Sequence, residues 1–182
     1  FNKMGATQLD RGPLCAGVRG AAYASLYGSM PGNPLEQAQN SKLIVVWGNN
    51  VTVSNLHLSS IIALAKRNGA KLVVIDPKRI KIAEQADLHL AISPGSDVML
   101  AMAVAAELER RGGVDKAFVD RWVHGFDDYM AKAREISIEQ AADVCDLQTE
   151  DILTFVKMYH EISPAIISIA NGMERSRNGG SS

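Results

Sequence analysis

The sequence predicts an α/β domain built on an open, mainly parallel sheet with helices on both faces. Three observations carry that expectation. Four short runs, at 43–47, 71–75, 88–92 and 164–170, are almost wholly apolar, as strands buried on both faces are. Segments between them repeat apolar residues every three or four positions, the period of a helix. The two kinds alternate along the chain, the order in which crossover connections build a parallel sheet.

Each element has its own local justification. "AGVRGAAYASLYG" (16–28) is rich in small residues and reads as a tightly packed helix, and "SMPGNP" after it reads as a loop. "LIVVW" (43–47) is the first strand. "SNLHLSSIIALAKRNG" then places Leu58, Ile61, Ile62 and Ala65 at helical spacing, with Gly69 as the stop. The second strand (71–75) ends at Asp76-Pro77, a short helix is expected around 80–85, and "LHLAI" (88–92) is the third strand. "PGSD" opens the long helix "VMLAMAVAAELERRG", with Asp97 as the expected N-cap and Gly112 and Gly113 as its end. Residues 114–162 read as four helical stretches, and "PAIISIA" (164–170) as a fourth buried strand. The expected organisation is an entering segment, 1–28, followed by one α/β domain, 29–182, in which 113–162 is a helical insertion.

Composition narrows the function classes. With 182 residues and 47% hydrophobic residues the chain can bury the core of one ordinary domain. A net charge of −1 offers no global attraction for nucleic acid or an anionic membrane. No apolar run approaches the roughly 20 residues of a membrane span. Two cysteines, Cys15 and Cys145, form no disulfide framework and no CxxC metal pair. The chain opens on Phe1 and closes on "ERSRNGGSS" just beyond an apolar strand, so a piece of a longer protein is expected. Compartment stays open between cytoplasm and periplasm.

Chemistry concentrates at the carboxyl ends of the expected strands, where open parallel sheets bind their ligands. Gly48, Asn49, Asn50, Thr52 and Ser54 follow the first strand; Asp76, Lys78 and Arg79 follow the second. Pro94, Gly95, Ser96 and Asp97 follow the third, and Asn171, Gly172, Arg175 and Arg177 follow the fourth. Glycine lets a phosphate approach backbone amides, and a helix start adds partial positive charge. A carboxylate after the second strand suits ribose hydroxyls or the N–H edge of guanine, and asparagine amides suit a heteroaromatic ring. Such residues also make ordinary turns. Neither GxGxxG nor GxxxxGK[ST] is present, so spacing alone points to a nucleotide-like ligand without naming it.

Other candidates carry less. A lone cysteine is commonly a small buried hydrophobe, which is how Cys15 reads by itself and how Cys145 is read. His57 and His89, in apolar contexts, are expected to pack in the core, and His124 and His160 to lie at the surface or a helix end. No histidine has companions at zinc-ligand spacing. Trp47 and Trp122 are expected to fill the core.

The ordered set "CAGVRGAA…LIVVWGNN…SNLH…AKRNGAKLVVIDPKR…AEQADLHLAISPGSDVMLAMA…FVDRWVHGFDDY…NGMERSRNGG" resembles the dimethyl sulfoxide reductase family of molybdopterin oxidoreductases, which includes formate dehydrogenases and nitrate reductases. The family carries a "WGxN" loop, a "GAKxxxxDPR" strand end, a "PGTD" helix start and an "xxGFxxY" helix in this order. The match runs from Cys15 to the last residue; each motif alone is weak, and the ordered set is specific. Here Ser96 replaces the commoner Thr, and Lys78 shifts the "DPR" arginine to Arg79.

The resemblance implies a Rossmann-like central domain of a catalytic subunit, holding one of two molybdopterin guanine dinucleotides that chelate molybdenum. Gly48, Asn49, Asn50 and Ser54 would contact the dinucleotide. Asp76, with Lys78 and Arg79 beside it, would sit at the guanosine end, as would Gly95, Ser96 and Asp97. Asn171, Gly172 and Arg175 would approach the pterin and pyrophosphate. Cys15 stands upstream of the "WG" glycine at the distance the family keeps for its protein molybdenum ligand, and a thiolate suits a metal already ringed by sulfur. The resemblance places an iron–sulfur cluster in a missing amino-terminal region and a second dinucleotide domain downstream. The expected partners are those domains and an electron-transfer iron–sulfur subunit, without nucleic acid or membrane insertion. Two alternatives stand: a non-catalytic relative of the complex I large-subunit type, and an unrelated nucleotide-binding module.

Overall fold

The computed structural model describes residues 2–6, 17–176 and 179; Cys15 and Arg177, singled out above, lie outside them. Four strands, β1 (Leu43–Trp47), β2 (Lys71–Ile75), β3 (Leu88–Leu90) and β4 (Ala165–Ile169), form one sheet in the order β3-β2-β1-β4. Every pairing is parallel, so all four carboxyl ends share one edge. The order steps one way from β1 through β2 to β3 and then returns to the other side of β1 for β4. The reversal lies between β1 and β4, the place where doubly wound sheets open a crevice.

Alternation along β1 divides the core in two. Leu43, Val45 and Trp47 face one side with Val73, Ile75 and Leu90. Against them pack α4 (Asp97–Arg110), α7 (Ile138–Cys145) and α8 (Thr149–Glu161), through Leu100, Cys145, Ile152 and Phe155. Ile44 and Val46 face the other side with Leu72 and Val74, against Leu58, Ile62 and Ala65 of α3 (Leu56–Arg67). All five side chains of β1 are buried, each such burial contributing about 1.5–3 kcal/mol. Helices on both faces explain why β1 and β2 are apolar without alternation.

Local signals set the helix ends. The Asn55 side chain accepts from the Leu58 amide at 3.3 Å and opens α3, and Gly69 leaves it at a φ of 93° that disfavours side chains. Asp115 opens α5 (Lys116–Trp122) by accepting from the Phe118 amide, and a Ser137–Gln140 capping box opens α7. Between α5 and α7 lies α6 (Phe126–Ala133). The expected short helix near 80–85 is a 3-10 turn over Lys81–Gln85.

Asp87 ties the sheet to α3. Its carboxylate accepts from the Leu72 amide at 2.8 Å and from Lys66 and Lys71 at 2.9 Å each. Burial works against its charge, but the bonds from both lysines and the amide prevail and hold it at about 2. Glu107 near the end of α4 accepts from Arg110 and Arg111; the Arg110 guanidinium is the main reason it too lies at about 2.

Several expectations are corrected. The α1 helix (Gly17–Tyr27) has no buried residue: Arg19 and Tyr23 line an open groove along β4, and no residue of the helix joins either core. β3 stops at Leu90, although Ile92 beyond it is buried. β4 is only half buried, Ile167 being 40% exposed, because among the described residues β4 has a strand neighbour on one side alone. His57 is exposed, since the buried line of α3 runs through Leu58, Ile62 and Ala65. His89 is partly buried, with Nε2 3.0 Å from the Asp76 carbonyl oxygen. Trp122 is 66% exposed, with the Arg121 guanidinium 4.9 Å from its ring centre. Trp47 does fill the core, edge-on to Phe155.

Candidate functional site

At the reversal between β1 and β4 the two following loops touch through their backbones. Gly48, at the end of β1, has a φ of 57°, a conformation that glycine adopts freely. Its carbonyl accepts the Gly172 amide at 3.2 Å, and its own amide donates to the Ile75 carbonyl at 2.8 Å. A Cβ on Gly172 would lie 2.6 Å from the Gly48 oxygen, and one on Gly48 would lie 3.1 Å from the Met173 nitrogen. Only two bare backbones fit there. Asn49 is buried and its amide nitrogen donates to Ser168 Oγ at 2.9 Å, a second tie across the same strand pair.

The loop after β1 then turns outward. The Asn50 side chain accepts from the Thr52 hydroxyl at 3.0 Å and precedes the short helix α2 (Val51–Ser54), where Ser54 is exposed. After β2, Asp76 caps its own turn by accepting the Lys78 amide at 2.9 Å and is tied to β3 through its amide, which donates to the Leu90 carbonyl. Its other carboxylate oxygen has no partner among the described residues, and Lys78 and Arg79 next to it are exposed.

The turn after β3 joins the same edge. Gly95 has a φ of 85°, and a Cβ there would meet the Ser176 Cβ at 3.3 Å, so this turn abuts the loop after β4. Its two polar side chains point inward, however. Ser96 is buried with its hydroxyl donating to the Ser93 carbonyl at 2.7 Å. Asp97 is buried and accepts the Trp47 indole N–H at 2.7 Å. Contrary to the expectation, Ser96 holds the N-cap position of α4 and Asp97 is its first helical residue. Each of these side chains thus makes a hydrogen bond within the chain, and Gly95 before them is exposed.

After β4, Asn171 opens a four-residue helix, α9 (Asn171–Glu174), and Arg175 follows it. Glu174, absent from the candidates that sequence suggests, is buried and accepts the Arg19 amide of α1 at 3.0 Å. Its only sequence signal is an acidic residue beside "NGM" at a strand end. Cys145 is buried, its thiol pushed up by burial, and its Sγ donates to the Ser96 carbonyl at 3.6 Å, a structural role as expected. Among the described residues no group of three or more His, Cys, Asp or Glu could hold a metal.

The structure therefore gathers Gly48, Asn49, Asn171 and Gly172 at the strand reversal, with Gly95 against the same loop and Asp76 on the neighbouring strand end. A cavity of about 930 Å³ between the end of α4, α5 and the start of α6 shares no lining residue with these strand ends.

The sequence model of the family described as "Molybdopterin oxidoreductase" matches residues 1–181. The chain is 32% identical over 180 residues to the probable oxidoreductase YoaE of Bacillus subtilis, covering 99% of this chain and 26% of that protein. It is 29% identical over 160 residues to formate dehydrogenase H of Escherichia coli, covering 88% of this chain and 22% of that protein. Acetylene hydratase from Pelobacter acetylenicus has the same fold, with a TM-score of 0.84 and 25% identity over 93% of this chain and 23% of its own. The chain spans about a quarter of the length of these relatives.

Proposed function

This chain belongs to the molybdopterin oxidoreductase family, and from that premise we propose that it holds one molybdopterin guanine dinucleotide in the catalytic subunit of a molybdenum-dependent oxidoreductase. The observation that carries the reading is the Gly48–Gly172 junction at the strand reversal, where two backbones without side chains pack on each other and bring the loops after β1 and β4, with Asn49 and Asn171, to one point of the carboxyl edge. Asn171, Gly172 and Arg175 would meet the pterin and pyrophosphate. Gly48, Asn49, Asn50 and Ser54 would line the middle, the buried Asn49 by holding the loop in place. Asp76, with an oxygen to spare, would accept from the guanine edge or ribose, flanked by Lys78 and Arg79. Gly95, and Ser96 and Asp97 through the backbone at the start of α4, would close that end.

Cys15 would be the protein's ligand to molybdenum, which when bound supplies two-electron chemistry of the oxygen-atom or hydride type. This chain's own residues orient and bind; no general acid or base is assigned to them. A second dinucleotide and an iron–sulfur cluster would belong to other domains of the polypeptide, and an electron-transfer iron–sulfur subunit is a further partner. Half a cofactor clamp leaves the chain by itself inactive.

The test uses the whole polypeptide. Acid hydrolysis should release two equivalents of guanosine monophosphate per molybdenum, and D76A should lower cofactor occupancy severalfold with little change in melting temperature. Release of another nucleotide or of none would overturn the dinucleotide assignment, and unchanged occupancy in D76A would overturn the role of Asp76. Elemental analysis of the present chain alone should find essentially no molybdenum.

A further inference from the structure

No residue of α5 is buried, although Phe118, Val119 and Trp122 are of the kind that helices turn inward. Phe118 is 56% and Trp122 66% exposed, and the two stand one turn apart, so they share a face. On the adjoining stripe Val119 and Val123, with Phe126 of α6, line the cavity of about 930 Å³ beside the end of α4. Single exposed apolar residues are ordinary; a cluster of them around a hollow marks a contact surface.

The same face is acidic. Asp120, Asp127 and Asp128 line the cavity and make no ion pair among the described residues. Glu109 lines it too, engaged by Arg134, and the single lysine of the lining is Lys116. The Arg121 guanidinium lies against the Trp122 ring, 4.9 Å from its centre.

This face stands at the other end of the sheet from the candidate cofactor residues. The α4 helix starts at the carboxyl edge, after β3, and its 14 residues carry the chain about 21 Å. A Cβ on Gly113, just beyond the end of α4, would meet Nδ1 of His160 in the last turn of α8 at 2.7 Å. The chain then reaches Pro164, whose carbonyl accepts the Lys42 amide in front of β1. The end of α4 is thus at the amino edge. A second copy related by a two-fold axis would set these carboxylates against themselves, and an anionic lipid surface would repel them. Domains that complete a cofactor clamp must close over the carboxyl edge, which leaves this end to another polypeptide. That last choice rests on the cofactor reading; the apolar and acidic character of the face does not.

We propose that α5, the start of α6 and the cavity between them are the docking surface for a separate protein subunit, which places an apolar anchor in the cavity and lysine or arginine side chains against Asp120, Asp127 and Asp128. Phe118 and Trp122 supply the dry centre of the contact, and the carboxylates steer the partner and set its register.

The test uses the whole polypeptide in the cell that makes it, with Phe118→benzoylphenylalanine as a photo-crosslinker and mass spectrometry of the linked peptide. The linked segment should come from another polypeptide and carry lysine or arginine beside apolar residues. That partner, purified, should bind with an affinity that falls as salt rises, that W122S lowers at least about tenfold, and that D120N, D127N and D128N together lower severalfold. W122S should leave the melting temperature and the guanosine monophosphate content unchanged, because α5 buries nothing. Overturning results are a link to a second copy, to lipid, to another part of the same polypeptide or to a segment without basic residues, the lack of any link, or binding that W122S leaves intact. Should W122S fail to fold, the triple change of exposed aspartates carries the comparison: weakened binding supports the proposal and wild-type binding overturns it. A polypeptide that holds no nucleotide and still binds its partner through Trp122 would overturn the cofactor reading alone.

Discussion

A Cβ on Gly172 would stand 2.6 Å from the Gly48 carbonyl oxygen, inside any separation that real atoms tolerate. The two loops that follow β1 and β4 are held so close that neither can carry a side chain at this point. G172A should therefore push the strands' exits apart, because backbone cannot give way as a flexible side chain would. Urea denaturation should show a loss of about 1–3 kcal/mol. G48A should cost at least as much, since its φ of 57° adds conformational strain. G32A, with nothing within 4 Å of its Cβ, should stay within about 0.5 kcal/mol of wild type.

The bond between Trp47 Nε1 and Asp97 spans 50 residues and is wholly buried. D97A leaves the indole N–H without an acceptor and should cost about 2–3 kcal/mol, while D97N retains an oxygen and should cost less. W47F strands the carboxylate in turn. A double-mutant cycle of W47F and D97N should give a coupling of roughly 1–2 kcal/mol. Additive losses would mean that the bond contributes nothing beyond packing.

Acid should weaken the fold through Glu107 and Asp87. Both have folded values of about 2, below the ordinary 4.5 and 3.8. A carboxylate whose value is depressed by folding contributes its full stabilisation above the unfolded value and loses it as pH falls through the folded one. The window is therefore pH 4.5 down to 2. Allowing for solvent around Arg110, which is 72% exposed, Glu107 contributes about 1–2 kcal/mol. E107Q should be less stable than wild type at pH 7 and approach it near pH 2, as read from urea midpoints across that range.

The Cys145 thiol is buried at the end of α7 and its value is raised by that burial. In the native chain it should alkylate with iodoacetamide roughly a hundredfold or more slowly than in denaturant, because both access and thiolate are lacking. Peptide mapping of the labelled chain checks this. Rapid native labelling at Cys145 would show that α7 opens far more readily than its packing suggests.

Much of the architecture was legible before any coordinates. Apolar runs without alternation marked β1 and β2 to the residue, and Gly69 marked the end of α3; the Asn55 cap and the Ser137–Gln140 capping box were not among the expected helix starts. The loop residues Gly48, Asn49, Asn171 and Gly172 could be picked out because ligands bind at the carboxyl ends of parallel strands, although such residues also make ordinary turns. At Ser96 and Asp97, by contrast, the expected cap was one residue off, Ser96 holding the N-cap position and Asp97 the first helical one. Nothing near them in sequence says that an indole 50 positions earlier needs an acceptor. Small residues misled at α1, where alanine and glycine suggested close packing but the helix borders an open groove along β4 and joins neither core.

The sequence by itself determined the strands, the helices, their order and the family, because those rest on periodicity, turn chemistry and motif order along the chain. Only the tertiary structure decided that β4 returns beside β1, that Gly48 and Gly172 meet there, and that Glu174 reaches Arg19 across 155 residues. Strand order is settled by which faces bury together, a property of the whole sheet. A polar group's partner is known only once that order has brought the loops to one edge.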